Sequence, residues 1–398
     1  MADTISTESI KDDDLLRQAI ESVGAPEGRP EQRPGAGGTP SAEVLPPHEQ
    51  TAQRLVTDED VKEALVTLDK YKQGKANLER RIIEDERWYQ LRHWEFLRNQ
   101  NVDTKHPQPQ PTSAWLFNSI SNKHADAMDN YPQANVLPRE RGDEQDAKTL
   151  SSILPVIMER GNFEDVYSHC WWEKLKHGTG VYGVFWDSTL QNGVGDISVQ
   201  EIDLLNIFWE PGITDIQKSR NVFVVTLADA DLLVDQYPEL DGHLNKSAAS
   251  AVAQYKYDDT VDTTNKIPVV DWYYKVRMDG GKTVLHYAKI ISGVLVFASQ
   301  NEDAYRENGW YDHGMYPFVF DTLFPEKGTP VGFGYVSICK DPQLYIDKLS
   351  ANIMESSMIG SKVRFLVSED TNLNEDELLD WNQPVVHVGG RLDDAKIQ

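Results

Sequence analysis

The stretch GTGVYGVFWDSTLQNGVGDISVQEI, residues 178–202, is where the hydrophobic pattern of this chain changes from helical to alternating. In it Val181, Gly183 and Phe185 would face one side of a strand, and the residues between them the other side. The turn-forming run QNGVGD then precedes a second alternating run. The stretch therefore predicts an antiparallel hairpin.

Helical patterns fill the chain between about residue 55 and this hairpin. The first helix begins after Thr57, whose hydroxyl can cap free backbone N–H groups, and acidic residues follow where the helix dipole favours negative charge. We expect Gly74 to break this helix and the helical pattern then to continue to about Leu97. Three further helices are predicted, over 115–130, over 143–161 with Pro155 as a kink or break, and over 163–176.

Alternating patterns return on the C-terminal side of the hairpin. They predict strands over 221–226, 269–277, 283–291 and 294–298, with a short helix over 229–237. Residues 243–266 are polar and weakly patterned, and we expect a surface loop there. Helices followed by antiparallel strands predict an α+β fold.

The last regular pattern is a helix with one apolar stripe. We expect Asp341 to cap it, Pro342 to lie in its first turn and Gly360 to end it. Its other faces carry more polar residues than a core helix would show. A strand is predicted after it, over 363–367. The stripe is formed by Ile346, Leu349 and Ile353.

Composition sets limits on what this protein does. A length of 398 residues suggests two or three domains. The first fifty residues hold ten acidic and four basic side chains and no aromatic one, so we expect them to be disordered. A net charge of -25 argues against a protein that binds nucleic acid by neutralising phosphates. Two distant cysteines, Cys170 and Cys339, give no disulfide framework, and no stretch is apolar enough to span a bilayer.

No motif indicates catalysis, a cofactor or a metal. The nearest approach to a phosphate-binding loop, at 281–283, has Val276 where the pattern requires glycine. The histidines lack metal-binding spacing, and Asp229, Asp231 and Asp235 fit the exposed face of one short helix better than a cation site. The ten tryptophans favour packing in cores or subunit interfaces over stacking on single-stranded nucleic acid.

Six ordered blocks between Asn122 and Val367 resemble portal proteins of podovirus-type tailed bacteriophages. No single block has a diagnostic chemical logic, but their order makes the resemblance specific. The blocks are NKHADAMDNYPQANVLPRE (122–140), HGTGVYGVFWD (177–187), IDLLNIFWEPGITDIQKSR (202–220), DWYYK (271–275), GWYDHGMYPFVFDTLFP (309–325) and GFGYVSICKDPQLYIDKLSANIMESSMIGSK (332–362).

The resemblance implies a portal-type α+β subunit. Its wing domain of helices and antiparallel β meanders would span residues 55–330, after a disordered acidic tail at 1–54. A stem helix region at 331–362 and the start of a clip at 363–398 would follow. Portal proteins of this type continue into a second stem helix and a crown. The chain is therefore a fragment, the product of a split gene, or a subunit whose ring is completed differently. We expect a fragment, C-terminally incomplete, that does not close into a stable ring alone.

The function that the resemblance implies is structural rather than enzymatic. Portal subunits form a homo-oligomeric ring, usually of twelve, at one capsid vertex, and double-stranded DNA passes through it without sequence specificity during packaging and ejection. The implied partners are further copies of the chain, terminase, coat and scaffold proteins, and head-completion or tail proteins, with no cofactor and no membrane. The subunit would be assembled in the host bacterial cytoplasm and would end in the virion.

The predicted stem helix supplies the candidate functional residues. The apolar stripe is expected to pack within the stem, and the polar positions to line the channel or lie near DNA. A solvated charge on an exposed helix face is the alternative for Lys348 and Lys362. An acidic wall would repel phosphates over a screening length of about 8 Å. The candidate channel residues are Asp347, Lys348, Ser350, Glu355 and Lys362.

Two other functions remain as alternatives. A capsid-associated adaptor is one, although adaptors are usually much smaller than this chain. A packaging enzyme, such as a terminase or nuclease subunit, is the other. The missing phosphate-binding loop and the absence of clustered acidic residues at strand ends argue against that enzyme.

Overall fold

The computed structural model describes residues 54–97, 109–240, 242, 244, 265–278 and 281–361. All of them belong to one compact unit, Pro47–Gln398. Several predicted segments lie outside the described residues, apart from residues 54, 244, 265 and 266. They are the expected tail, the loop at 243–266, Lys362, the strand at 363–367 and the clip region.

The longest helix, α1, runs over Asp58–Tyr89 and begins as the sequence predicts. The backbone N–H and the hydroxyl of Thr57 both donate to the Asp60 carboxylate at 2.8 Å, which closes the helix start. The predicted break at Gly74 is wrong, because the helix continues through it. A Cβ at Gly74 would lie 2.9 Å from the Pro211 ring, so the glycine permits close packing against a loop.

The remaining helices follow the predicted order. The helical pattern that we expect to run to about Leu97 is interrupted at Leu91, which has a φ of 61°, so that it forms two helices. The three helices predicted on the N-terminal side of the hairpin are confirmed to within a residue or so, and Pro155 lies inside the second without ending it. The helices are α2 (His93–Leu97), α3 (Trp115–Asp129), α4 (Glu144–Arg160), α5 (Phe163–His177), α6 (Ala230–Gln236) and α7 (Tyr335–Ser361).

The hairpin that the sequence predicts is present. β1 (Thr179–Asp187) pairs antiparallel with β2 (Asp196–Glu201). β1 also pairs on its other side with β8 (Phe318–Thr322), a distant strand that the sequence pattern does not predict. The resulting sheet has the order β2-β1-β8.

The second sheet is an antiparallel meander of five strands in the order β3-β4-β5-β6-β7. Its last four strands match the predicted ones, so the α+β fold class is confirmed. A short ladder of β9 (Phe324–Pro325) and β10 (Gly332–Phe333) leads into α7. The five strands are β3 (Ile207–Trp209), β4 (Asn221–Asp229), β5 (Lys266–Arg277), β6 (Thr283–Ile291) and β7 (Val294–Ala298).

α1 buries its apolar face against the five-stranded sheet. Val61 and Leu68 join one cluster with sheet residues, and the Tyr71 ring meets the Phe223 ring edge-on with centroids 5.9 Å apart. Further along, the buried ammonium of Lys75 donates to the carbonyls of Leu204, Leu205 and Ile207 at 2.5, 3.2 and 2.7 Å. These bonds satisfy three acceptors beside the edge strand β3 and fix its approach to the helix.

α7 begins earlier than the sequence pattern suggests. The prediction that Asp341 caps it and Pro342 lies in its first turn is wrong, because the helix starts at Tyr335 and both residues lie inside it. Val336 is completely buried in a cluster with Leu116. Burial of this added turn offsets the hydrogen bond that Pro342 cannot make.

Candidate assembly surface on the C-terminal helix

α7 turns a polar face toward the body of the protein at its midpoint. Gln343 and Asp347 lie one turn apart and are both buried. The Asp347 carboxylate accepts hydrogen bonds from the backbone N–H of Ser113 at 2.9 Å and from the Gln343 amide at 3.0 and 3.1 Å. The Nε2 atom of His93 lies 3.1 Å from the same carboxylate. Asp347 is therefore saturated with contacts inside the subunit.

This placement corrects one predicted channel residue. Asp347 has no exposed surface, so the prediction that it lines a channel is wrong. Because Asp347 is charged, its polarity alone predicts a position on the wet side of the helix. The four-residue spacing of Gln343 and Asp347, about a third of a turn around the helix from the apolar stripe, is the signal that could have identified them as an inward face. Nothing in the sequence pattern indicates that His93 and Ser113 meet them.

Gln343 also completes the start of α3. The residue before that helix is Ala114, which has no side-chain acceptor for the free N–H groups of the first turn. The backbone N–H of Leu116 donates to the Gln343 side-chain oxygen at 3.3 Å, and the Gln343 amide donates to the Ser113 carbonyl at 2.7 Å. A side chain of α7 therefore acts as the cap of α3.

Nearer its start, α7 is bound to the end of α1. The Lys340 ammonium lies 3.1 Å from the Glu84 carboxylate, and the Ser337 hydroxyl donates to Asp85 at 3.3 Å. Burial raises the pKa of Asp85 to about 6, although His177 and Lys340 oppose the shift. The second oxygen of Asp85 is buried and has no hydrogen-bond partner among the described residues.

The face of α7 that points away from the body is apolar. The side chains of Ile346, Leu349 and Ile353, which we expect to pack in the stem, are 41%, 62% and 60% exposed in the single chain. Ile338 and Tyr345 lie on the same side at helical spacing and are also exposed. We call these five residues the outward stripe. Apolar side chains gathered on one exposed face are typical of a protein interface rather than of a surface in water.

A third face of α7 is charged. Asp341, Lys348 and Glu355 are spaced seven residues apart and so share one side of the helix, at intervals of about 10 Å. Asp341 and Lys348 are exposed, and Glu355 is half-buried. We call these three residues the charged flank. Ser350 is half-buried and follows Gln343 by seven residues, so it belongs to the inward side and not to the flank.

Outside α7, the described part of the chain offers little that suggests chemistry. Within it, no group of three or more His, Cys, Asp or Glu side chains is arranged to hold a metal ion. No helix in the same residues is both long and apolar enough to cross a membrane. The thiol of Cys170 is buried, and burial raises its pKa well above the usual range, whereas Cys339 is half-buried.

Comparison with known proteins identifies the family. The sequence matches the family described as phage P22-like portal protein over residues 67–315, which is more than half of the chain. No individual curated protein matches it. The matched region includes most of α1, the helices α2 to α6 and the strands β1 to β7. It stops before β8 and α7. The chain therefore belongs to the phage P22-like portal proteins, the head-to-tail connector family of tailed bacteriophages.

Proposed function

We propose that the chain is the subunit of a portal ring in which α7 is the stem helix and its outward stripe packs against a second copy of the chain. Membership of the portal family gives the setting, since portal proteins are structural components of the phage head. The wing would comprise residues 55–330 and the stem region residues 331–362. The single observation that carries the proposal is the outward stripe.

The stripe has the properties of a contact between copies. Leu349 and Ile353 are more than half exposed, and burying the exposed part of one such side chain contributes about 1–2 kcal/mol to an association. The opposite face of α7 is bound to its own subunit through Gln343 and Asp347, so the stripe has no surface of that subunit to cover it. A closed ring gives every copy such a neighbour without leaving any stripe uncovered.

The charged flank would then face the central channel. Lys348 and Glu355 are the two predicted channel residues that lie on it, and Asp341 adds a further carboxylate. A net charge of -25 per subunit would make the ring strongly acidic, and this repels the phosphates of double-stranded DNA close to the wall. The duplex would therefore pass without adhering. Ser350 takes no part in this arrangement, and Lys362 follows the last described residue of α7.

The wider role follows from the proposed ring. It would sit at one capsid vertex, be assembled in the host bacterial cytoplasm and contain about twelve copies. The terminase would dock on it during packaging, and head-completion or tail proteins would bind it afterwards. Coat and scaffold proteins would contact the wings. None of these roles requires a cofactor or a catalytic residue.

The proposal is tested by the association of the purified chain. Analytical ultracentrifugation over a range of concentrations should show oligomers, and the variant Leu349→Asp should shift the chain to monomers with an unchanged circular dichroism spectrum. Val194→Asp is the matched control, because Val194 is 76% exposed in the hairpin turn and far from α7 in sequence. It should leave the association unchanged.

Two outcomes would contradict the proposal. Oligomers that survive both Leu349→Asp and Ile353→Asp would show that the stripe is not the contact between copies. A chain that stays monomeric at every concentration, including when extended beyond Gln398 if the gene continues, would favour an adaptor role instead.

A further inference from the structure

The amphipathic character of α7 is inverted at its midpoint in the single subunit, although Val336 nearer its start is buried in an apolar cluster. A helix that packs on a protein body normally turns its apolar side inward. In α7 the inward side holds Gln343 and Asp347 at its midpoint, and the outward side holds Leu349 and Ile353. A rotation of the helix about its own axis by roughly a third of a turn would turn Leu349 toward the body and turn Gln343 and Asp347 toward solvent. At this midpoint the hydrophobic effect favours the rotated arrangement, whereas the burial of Val336 nearer the start of the helix opposes it.

The contacts of the inward side oppose that rotation. Asp347 binds the Ser113 N–H and lies beside His93, and Gln343 binds both the carbonyl of Ser113 and the N–H of Leu116. His93, Gln343 and Asp347 are at most 3% exposed, so water cannot replace these partners while the helix stays packed. Rotation would leave the start of α3 without its cap and the Nε2 atom of His93 without the neighbouring Asp347 carboxylate.

We propose that His93, Ser113, Gln343 and Asp347 form a rotational lock, which holds α7 with its outward stripe exposed in the free subunit and so keeps that subunit ready to join another copy. In this account Asp347 is a positioning residue and has no contact with DNA. The inference rests on the proposed function only in saying that the exposed stripe serves to bind another copy. The orientation of α7 itself is a property of a single chain.

The chemistry of the lock explains why these residue types are present. A carboxylate and an amide hydrogen-bond only with partners at fixed directions, whereas apolar contacts tolerate several rotations of a helix. His93 is held from its other side by Trp88, whose ring is stacked on it with centroids 4.3 Å apart and planes 4° from parallel. The partners of α7 are thus rigidly placed, and only one rotation of the helix satisfies them.

Thiol labelling of monomers tests the lock directly. In a Cys339→Ser background, Leu349→Cys places a reporter on the outward stripe, and the buried Cys170 reports unfolding. Monomers are isolated by size exclusion and labelled at once with a maleimide. We expect fast labelling at position 349 with the lock intact. Replacing both Gln343 and Asp347 by Leu should slow that labelling at least tenfold while Cys170 stays unreactive, and should abolish association in the chain without the reporter.

Matched variants make the result specific. Asp69→Leu applies the aspartate-to-leucine change to an exposed position of α1 and should alter neither labelling nor association. Asp347→Asn keeps an acceptor for the Ser113 N–H and should restore most of the labelling rate that the leucine variant loses. If the double leucine variant unfolds, Cys170 becomes reactive, and Gln343→Ala replaces it as the test, with an expected slowing of about threefold.

The outcomes separate the lock from the ring. A folded double leucine or Gln343→Ala variant whose position 349 labels at the rate of the intact lock would overturn the inference. If the unmutated chain fails to associate, the proposed function fails, but the labelling of monomers still decides whether α7 is held in one rotation.

Discussion

α1 and α7 are both long amphipathic helices, yet they use their apolar faces in opposite ways. α1 buries Val61, Leu68 and Ile82 against the sheets. α7 buries Val336 near its start, but at its midpoint it packs through Gln343 and Asp347 and leaves Leu349 and Ile353 in solvent. The first arrangement stabilises a single subunit, and the second keeps an adhesive surface available. The difference teaches that a polar inward face and an apolar outward face on one helix indicate an element built for assembly.

The largest expected effect concerns the polar anchor of α1. Lys75→Met would leave the carbonyls of Leu204, Leu205 and Ile207 without their donor in a buried site. Each buried group that loses its partner costs about 1–3 kcal/mol, so we expect a loss of about 3–5 kcal/mol in the free energy of unfolding. Urea unfolding measures it, with the exposed Lys70→Met as control. A loss below about 1 kcal/mol would mean that the ammonium does not hold β3 to α1.

A leucine-to-alanine substitution should affect stability differently in the two helices. Leu68→Ala in α1 should lower the free energy of unfolding by about 2–4 kcal/mol, because Leu68 is buried. Leu349→Ala in α7 should change that of the monomer by less than about 0.5 kcal/mol, because its side chain is exposed. Both are measured by urea unfolding at concentrations where the chain is monomeric. Equal losses at the two positions would end the distinction between the helices.

The junction of α1 and α7 gives a smaller, pH-dependent effect. Burial raises the pKa of Asp85 to about 6, so its contribution to stability is complete below about pH 4 and is lost as the pH rises through 6. Asp85→Asn should therefore be more stable than the unmutated chain by about 1–2 kcal/mol at pH 7.5, since an uncharged amide avoids much of the desolvation cost.

Comparison of the two chains across pH checks the sign. The advantage of Asp85→Asn in urea unfolding should shrink toward zero near pH 4, where the native carboxyl is protonated. Asp69→Asn, at an exposed position of α1, should show no such trend. If Asp85→Asn were destabilised equally at both pH values, the charged Asp85 carboxylate would stabilise the fold, and its burial would not be a cost.

The smallest expected effect lies at the N-terminal end of α1. Thr57→Ala removes the hydroxyl that donates to Asp60 at 2.8 Å, and loss of such a cap costs about 1 kcal/mol. Thermal unfolding measures the loss, and Thr67→Ala, a threonine within the same helix, is the control. An effect no larger than that of the control would show that the capping box does not set the helix start.

Local patterns predicted much of this fold because they depend on neighbours in sequence. The hairpin of β1 and β2 and the capped start of α1 at Thr57 need only short-range periodicity and turn residues. The pairing of β1 with β8 could not be predicted in this way, because the two strands are distant in sequence. The early start of α7 was also missed, since burial of Val336 outweighs the local signal of Pro342.

The candidate site could also be predicted from the sequence only in part. The apolar spacing of Ile346, Leu349 and Ile353 predicts one stripe of α7, and all three side chains are exposed; that the stripe packs in a stem stays a prediction. Polarity alone could not separate a buried carboxylate from an exposed one, and Asp347 was assigned to the wrong side for that reason. Its partner His93 lies on a different helix, and only the tertiary structure brings them within 3.1 Å.

The central claim is that the outward stripe of α7 meets a second copy of the chain. Maleimide labelling of Leu349→Cys, in the Cys339→Ser background, tests it when monomer and oligomer fractions of one preparation are compared. We predict that position 349 reacts at least tenfold more slowly in the oligomer than in the monomer. An oligomer in which position 349 reacts as fast as in the monomer would contradict the account.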